Sequence, residues 1–322
     1  MAEPWATNAA AVPHESKLRR ANRGRALGKR RGGCAARYHA PRLARGGVMS
    51  RLRTAVDLLK SLVAEPIRSG RQMGRVPDAL RAARFSASMS AASDRRPLAG
   101  ESAPNPLRSF FDARVEGRGI WKWLHYFDIY NRHLKKFVGR PVHVVEIGVY
   151  SGGSLEMWRD FFGEQARITG IDIAPECRAY EDDSTEIVIG DQADRTFWAQ
   201  FRETHPEVDV IIDDGGHQVE QQLVTLEEML PHLRPGGVYI CEDVHGRGSH
   251  FAAFAHALAD NLNESQPSSD GRGTLSYRAT PFQSAIESIN FYPCVVVIEK
   301  TAAPRAEFTA PKHGTAWQPF LD

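Results

Sequence analysis

The run VHVVEIGVYSGGSLEMWRDFF, residues 142–162, decides the fold. It begins with β-branched residues, which favour a buried strand, and it ends with apolar residues at helical spacing. Between them lie Gly148, Gly152 and Gly153, which let the backbone turn tightly and approach a ligand closely. The run therefore predicts a strand, a glycine-rich turn and a helix in succession.

The same alternation of apolar runs and helical stretches continues beyond residue 162. Further predicted strands are ARITGIDI, TEIVIGD, VDVIIDDGG and GGVYICED, and the predicted helices are ADRTFWAQFRETH, VEQQLVTLEEMLPHL and SHFAAFAHALADNLN. Strands that alternate with helices form a parallel sheet covered on both faces, and ligands bind beyond the carboxyl ends of its strands. We therefore expect an α/β, doubly wound, Rossmann-like sheet of seven mostly parallel strands.

Acidic residues end the predicted strands, at the edge where a ligand is expected. The first strand carries the spacing E-x-G-x-x-x-G-G from Glu146, which differs from the G-x-G-x-x-G of a dinucleotide site. Asp172 ends the second strand, where an acid can accept both hydroxyls of a ribose. Asp191 and Gln192 end the third, where a carboxylate and an amide can contact an adenine edge. Together these elements favour an adenosine-containing cofactor.

Paired acids follow the fourth and fifth predicted strands, which are neighbours in this kind of sheet. Neighbouring strands run about 4.8 Å apart, so Asp214, Glu242 and Asp243 are expected to converge. Their mutual repulsion would be relieved by a hard divalent cation, and oxygen ligands suit Mg²⁺. The alternative, acids that cap the following helices, accounts for one acid per strand but not for pairs. Asp213 should face the other way along its strand and have a supporting role.

His217 lies three residues beyond Asp214, where the loop enters a helix. A histidine with a pKa near 7 can remove the proton of a hydroxyl group whose own pKa a metal has lowered. A lone histidine is more often structural, but the neighbouring carboxylates favour catalysis here. His245, in EDVHG, is a weaker second candidate that orders the loop or the substrate.

These blocks resemble a class I S-adenosylmethionine-dependent methyltransferase. Within that class they are similar to the metal-dependent macrolide sugar O-methyltransferases of the mycinamicin type and to the related cephalosporin-hydroxylase-like group. The resemblance covers about residues 105–300. It is carried by GIWKWLHYFDIYNRHLKKF, VEIGVYSGGSLEMW, ITGIDIAPEC, IGDQADRTFW, IIDDGGHQ, LRPGGVYICEDVHG and INFYPCVVVIEK.

The resemblance implies S-adenosylmethionine and Mg²⁺ as cofactors and assigns residues to each. His217 is then the general base. The trio of Asp214, Glu242 and Asp243 holds the metal, and the metal holds vicinal hydroxyls of the substrate. The implied cofactor-binding residues are Glu146, Gly148, Tyr150, Ser151, Gly152, Asp172, Asp191, Gln192 and Asp213.

The implied function is an Mg²⁺-dependent O-methyltransferase that moves the methyl group of S-adenosylmethionine to a hydroxyl of a sugar or glycosylated natural product. The alternatives are a cephalosporin-hydroxylase-like tailoring enzyme, a non-catalytic S-adenosylmethionine-binding relative and a nucleic-acid methyltransferase. An iron facial triad would need two histidines and one carboxylate. The expected partner is a small, hydroxylated, sugar-containing acceptor; neither nucleic acid nor membrane is expected, and a homo-oligomer is left open.

The N-terminal third differs from the rest of the chain in charge. Residues 1–100 carry 21 Lys and Arg against 6 Asp and Glu, whereas the remainder carries 20 against 33. We expect residues 1–104 to be a basic, low-complexity tail and linker. Residues 1–48 are the predicted disordered tail, because they cannot bury enough apolar surface to offset their ordering entropy. An arm for nucleic acid, a solvated tail and translation from an upstream start, with Met49 as the candidate start, are the three interpretations. Within this part, one helical face is predicted from Leu52, Val56, Leu59 and Val63.

Residues 105–322 form the expected methyltransferase domain, and residues 105–140 are expected to be its helical lid. The apolar positions that predict this helix are Ile120, Leu124, Phe127, Leu134 and Phe137. The four cysteines have no CxxC spacing, which is typical of a protein in a reducing cytoplasm. No apolar run approaches the roughly 20 residues that span a bilayer.

Overall fold

The structure is a computed structural model, and it describes residues 56, 59–60, 62–89, 104–246, 249–269 and 274–314. The predicted disordered tail of residues 1–48 and the candidate start at Met49 lie outside the described residues. The chain divides into two units between residues 97 and 98, and each unit is described by itself.

In the first unit, the helices whose bounds the structure describes are α1 (Pro66–Gly74) and α2 (Val76–Ser88). Of the helical face predicted before them, Val56, Leu59 and Val63 are helical and exposed. Leu52 lies outside the described residues.

The second unit is built on a seven-stranded sheet. Its strands are β1 (His143–Ile147), β2 (Arg167–Asp172), β3 (Thr185–Ile189), β4 (Val210–Asp213), β5 (Val238–Cys241), β8 (Ile286–Tyr292) and β9 (Val295–Lys300), with β6 (Ser268–Ser269), β7 (Thr274–Arg278) and β10 (Glu307–Pro311) in a second sheet. The order of the large sheet is β3-β2-β1-β4-β5-β9-β8. The first five strands pair in parallel, and β9 is antiparallel to both of its neighbours. The predicted seven-stranded, mostly parallel sheet is confirmed.

Helices cover both faces of this sheet. They are α3 (Pro106–Ala113), α4 (Tyr126–Leu134), α5 (Gly153–Phe162), α6 (Arg195–Thr204), α7 (Val219–Met229), α8 (His250–Asn261) and α9 (Pro281–Ala285). Helices α3 to α5 contribute to one apolar core, in which Tyr130 and Trp158 are fully buried. Helices α6 to α8 contribute to a second core, around Trp198 and Phe251. Adjacent residues of β1, Val144 and Val145, point into different cores, as alternation along a strand requires.

The predicted lid helix is shorter than the sequence indicated. Helix α4 begins only at Tyr126, so Ile120 and Leu124 precede it, and Leu124 is exposed. We call residues 118–125 the lid segment. It crosses the start of α5, where a Cβ atom on Gly153 would lie 2.4 Å from the carbonyl oxygen of Gly119. The prediction of a continuous helix was wrong because residues 119–123 have no regular secondary structure and pass over the start of α5.

A three-stranded antiparallel sheet, ordered β10-β7-β6, was not predicted. Its strands are short and mostly exposed, so they carry little of the apolar periodicity that identifies a strand in sequence. Among the residues that the structure describes, no helix is long and apolar enough to cross a membrane.

Candidate functional site

Four carboxylates meet at the carboxyl edge of the sheet. Glu146 lies near the end of β1, Asp214 directly follows β4, and Glu242 and Asp243 directly follow β5. Strands β1 and β5 both pair with β4, so these acids come from three adjacent strands. The convergence of Asp214, Glu242 and Asp243 that the sequence predicted therefore follows from the order of the strands.

The backbone of this edge is packed unusually closely. Gly148 has a φ of 94°, and a Cβ atom there would lie 2.0 Å from the carbonyl oxygen of Asp214. No other residue could both adopt this conformation without strain and let the two strand ends approach. The glycine thus places the first turn directly against the loop that carries Asp214.

A buried lysine of the lid segment lies among three of the acids. The Nζ atom of Lys122 is 2.7 Å from Asp214 Oδ2, 3.2 Å from Glu146 Oε1 and 3.2 Å from Glu242 Oε2. Burial alone would lower the pKa of Lys122, but the charges of Asp214, Glu242 and Glu146 outweigh burial and raise it well above its usual range. Lys122 therefore carries a permanent positive charge inside the protein.

One ammonium group does not neutralise four carboxylates. Glu146 and Glu242 are fully buried, and burial raises the pKa of each, although Lys122 opposes the rise. Glu146 also accepts a hydrogen bond from Ser154 Oγ at 2.6 Å, and Glu242 accepts one from Tyr130 Oη at 2.6 Å. The raised pKa values mean that Lys122 does not fully compensate the buried carboxylates, and a further cation close by would favour their ionised form.

The outer part of the cluster contains Asp214, His217 and Asp243. Nε2 of His217 is 3.5 Å from Asp243 Oδ2 and 3.9 Å from Asp214 Oδ1. One ligand atom from each of these three residues lies within 4.8 Å of the others, close enough to surround one metal ion. His217 and Asp243 have φ angles of 55° and 52°, a conformation that costs energy for non-glycine residues and is concentrated at functional sites.

This donor set fits a hard divalent cation. Two carboxylates supply the oxygen ligands that Mg²⁺ prefers. His217 also has a buried Nδ1 atom that lacks a hydrogen-bond partner within the described part of the chain. Glu242 lies deeper, with Lys122 and Tyr130 on its oxygens, but a carboxylate has about four lone-pair positions and can still accept another partner.

The residues predicted to bind a cofactor divide into two groups. Tyr150, Ser151 and Gly152 form the turn between β1 and α5, and Tyr150 is exposed at a φ of 50°. Asp172, at the end of β2, faces this turn, since its Oδ2 accepts from the backbone N–H groups of Val149 (2.9 Å) and Tyr150 (3.2 Å). These residues share one edge of the sheet with Glu146 and Gly148.

The other group faces inward. Gln192 is buried; its Nε2 donates to Asp213 Oδ1 at 2.9 Å, and its Oε1 accepts from the N–H of Gly216 at 2.7 Å. Asp213 also accepts from Tyr239 Oη, and burial raises its pKa to about 6. The structure thus uses Gln192 and Asp213 to brace the loop after β4. Asp191 is exposed and accepts from the N–H of Ala193, and His245 is also exposed.

Sequence reasoning missed the residues that hold the acids from the lid segment and α4. Trp123 Nε1 and Tyr126 Oη donate to Asp243 Oδ1 at 3.1 and 2.8 Å. Lys122 holds Asp214, and Tyr130 holds Glu242. One feature of the sequence could have indicated these contacts. A single lysine, Lys122, lies within the aromatic run IWKWLHYFDIY, and a charged residue among aromatic residues is buried only when it is paired.

Part of the chain matches a known protein family. Residues 145–244, which run from β1 to the loop after β5, match the family model described as "Methyltransferase domain". This part of the chain, from β1 to the loop after β5, is therefore similar to methyltransferase domains.

Its relatives are sugar O-methyltransferases. The chain is 31% identical over 208 residues to 8-demethyl-8-alpha-L-rhamnosyl tetracenomycin-C 2'-O-methyltransferase of Streptomyces olivaceus, covering 57% of this chain and 53% of that protein. It is 34% identical over 130 residues to mycinamicin VI 2''-O-methyltransferase of Micromonospora griseorubida, covering 38% of this chain and 32% of that protein. The chain thus spans about half or less of the length of these relatives.

A solved structure shares the fold. The MycE methyltransferase from the mycinamycin biosynthetic pathway, in complex with Mg, SAH and mycinamycin VI, aligns with a TM-score of 0.50 at 26% identity. The alignment covers 63% of this chain and 55% of that one.

Proposed function

We propose that this protein transfers the methyl group of S-adenosylmethionine to a hydroxyl group of a sugar carried by a natural product, with the help of Mg²⁺. The observation that carries the proposal is the cluster of Asp214, His217 and Asp243 at the carboxyl edge of the sheet, beside the glycine-rich turn. The relatives named above methylate sugar-bearing compounds, and the MycE structure contains both Mg and SAH.

The cofactor is assigned to the turn after β1 and to Asp172. The turn presents backbone N–H groups at the start of α5, and Asp172 is held against it by the N–H groups of Val149 and Tyr150. With Ala174 N–H on Oδ1 as well, about one lone-pair position of Asp172 remains, and it is suited to a ribose hydroxyl. Asp191 stands at the end of the neighbouring strand, where an adenine ring would extend.

The metal is assigned to Asp214 and Asp243, with Glu242 as a deeper third ligand. When bound, Mg²⁺ lowers the pKa of an acceptor hydroxyl group and fixes its orientation. The oxygens available to it are Asp214 Oδ1 and Asp243 Oδ2, because Lys122 and Trp123 occupy the other oxygen of each carboxylate.

His217 is assigned the general base. Its Nε2 removes the proton of the acceptor hydroxyl as the oxygen attacks the methyl carbon of the sulfonium. The C–O bond forms while the C–S bond breaks, and S-adenosylhomocysteine leaves. The nearby Oδ2 of Asp243, at 3.5 Å, stabilises the imidazolium that results. A hydroxylase with an iron facial triad would need two histidines, and the cluster contains one.

The test is metal removal in the full-length protein. Methyl transfer would be measured on the acceptors named for its relatives: 8-demethyl-8-alpha-L-rhamnosyl tetracenomycin-C, demethylmacrocin and mycinamicin VI. EDTA should lower turnover by about a hundredfold or more, since several kcal/mol of charge stabilisation are lost, and Mg²⁺ should restore it. SAH binding, measured by calorimetry, should persist in EDTA.

Asp214→Asn should behave like EDTA, because it removes one anionic ligand without changing size. The matched control is Asp183→Asn, an exposed aspartate in the turn before β3, which should retain full activity. Undiminished methyl transfer in chelator would refute the metal-dependent mechanism.

A further inference from the structure

Side chains of the lid segment and α4 hold the two outer acids, Asp214 and Asp243, through one carboxylate oxygen each, and Glu242 through both. Lys122 Nζ holds Asp214 Oδ2, Trp123 and Tyr126 hold Asp243 Oδ1, and Tyr130 holds Glu242 Oε1. The opposite oxygens of the two outer acids, Asp214 Oδ1 and Asp243 Oδ2, face His217. Contacts of this kind fix the orientation of metal ligands, and their loss usually weakens metal binding.

Lys122 differs from the aromatic residues because it brings a charge. Its Nζ is within 3.3 Å of oxygens from Glu146, Asp214 and Glu242, and its side chain is only 3% exposed. Three carboxylates around one small cation form the kind of environment that proteins provide for a divalent metal. The cluster therefore has an inner cation position, filled by Lys122, and an outer one between Asp214 and Asp243, beside His217.

We propose that Lys122 is a positioning residue that serves as the resident inner cation of the site, so that the acid cluster takes one divalent ion instead of two. This inference rests on the proposed function, because it concerns the same metal site. Lys122 keeps the inner carboxylates together and turns Asp214 so that its Oδ1 faces outward. Asp214 belongs to both cation positions. The positive charge of Lys122 at the inner position therefore repels a divalent ion at the outer position and weakens its binding.

The position of Lys122 in the chain adds a structural link. Through the side chain of Lys122, the lid segment contacts Glu146, which lies near the glycine-rich turn. The same side chain contacts Asp214 and Glu242, which are assigned to the metal. The cofactor side and the metal side of the site are thus connected by a single ammonium group.

The experiment is a measurement of Mn²⁺ stoichiometry in the full-length protein by calorimetry, together with electron paramagnetic resonance. Mn²⁺ serves as a paramagnetic substitute for Mg²⁺. The wild-type protein should bind one Mn²⁺ with the spectrum of an isolated ion. Lys122→Met should bind two Mn²⁺, and their spectrum should show coupling between neighbouring ions. Lys122→Arg, which keeps the charge, should again bind one.

A charge-compensated double variant keeps the test decisive if Lys122→Met folds poorly. Lys122→Met with Glu146→Gln removes one charge of each sign from the inner position, and it should bind a single Mn²⁺. A Lys122→Met protein that binds one Mn²⁺ or none, while the wild type binds one, overturns the inference and leaves the proposed function standing. A double variant that binds two overturns it as well. A wild-type protein that binds no Mn²⁺ refutes the proposed metal site and this inference with it.

Discussion

Asp172 shows how much of a site can depend on one carboxylate. Its Oδ2 accepts two backbone N–H groups from the turn after β1, and its Oδ1 accepts the N–H of Ala174 at 2.9 Å. Three hydrogen bonds fix the side chain before any ligand arrives, so it loses little conformational freedom on binding. A ribose would meet an acceptor that is already oriented.

Replacing Asp172 by Asn should weaken the binding of SAH by at least about tenfold, or about 1.4 kcal/mol, because a charged acceptor of the ribose hydroxyls is lost. Calorimetry of the full-length protein measures the change, with Asp183→Asn as the control. Thermal unfolding without ligand separates a lost ligand contact from a loosened turn. Unchanged SAH affinity would remove Asp172 from the cofactor site.

His217→Ala should lower turnover by roughly 10²–10⁴-fold, the usual contribution of a general base. SAH affinity should hold within about threefold of the wild-type value, and EDTA should still abolish the remaining activity. If the variant had wild-type turnover, His217 would not be the general base, and its role would be to stabilise the loop after β4.

At the level of single residues, the sequence predicts which acids reach the edge but not all of their partners. Asp172, Asp214 and Asp243 follow from strand ends, which apolar runs locate well. Gln192 was predicted to contact a ligand and instead braces the loop after β4. The direction of a polar side chain next to a strand end depends on packing against distant chain, and periodicity does not contain that information.

At the level of elements, the lid segment is the least predictable part of the second unit. Apolar residues at helical spacing predicted one helix from Ile120 to Phe137, yet helix α4 begins only at Tyr126. The buried ion pairs of Lys122 and the bond from Trp123 to Asp243 tie this stretch to the site. Together these contacts outweigh the helix propensity of the segment, which is worth less than about 1 kcal/mol per residue.

Gly153→Ala should displace the lid segment. A Cβ atom there would lie 2.4 Å from Gly119 O and 2.6 Å from Arg118 O, both backbone atoms that cannot rotate away. Overpacking of this kind costs about 1–3 kcal/mol, even though alanine favours a helix. We expect a lower unfolding temperature and faster tryptic cleavage after Lys122, which is buried in the wild-type protein.

The matched control for this contact is Gly119→Ala, whose Cβ atom would meet Ser151 Cβ at an ordinary 3.7 Å. It should unfold and resist trypsin like the wild type. If Gly153→Ala and Gly119→Ala were indistinguishable in both measurements, the close passage of the lid segment over α5 would not be a constraint on the fold.

At the level of the whole molecule, the division of charge coincides with a division of structure. The basic third of the sequence belongs mostly to the unit that ends at residue 97, and the acidic remainder to the unit that begins at residue 98. Both apolar cores and every described residue of the candidate site lie in the second unit. The sequence prediction put the boundary of the basic segment between residues 104 and 105, because a segment poor in large aliphatic residues cannot supply a core, and that boundary stays a prediction.

A fragment of residues 98–322 should therefore fold alone and bind SAH within about threefold of the affinity of the full-length chain, a difference of about 0.7 kcal/mol or less. The residues that the structure describes in its two cores, its glycine-rich turn and its acid cluster all lie within this fragment. Calorimetry and thermal unfolding of the fragment measure both properties, and a protein that starts at Met49 provides the intermediate length. A fragment that is insoluble, or that binds SAH more than about tenfold more weakly, would show that the basic third supports the catalytic unit. If the protein from Met49 then bound normally, the required contribution would come from residues 49–97.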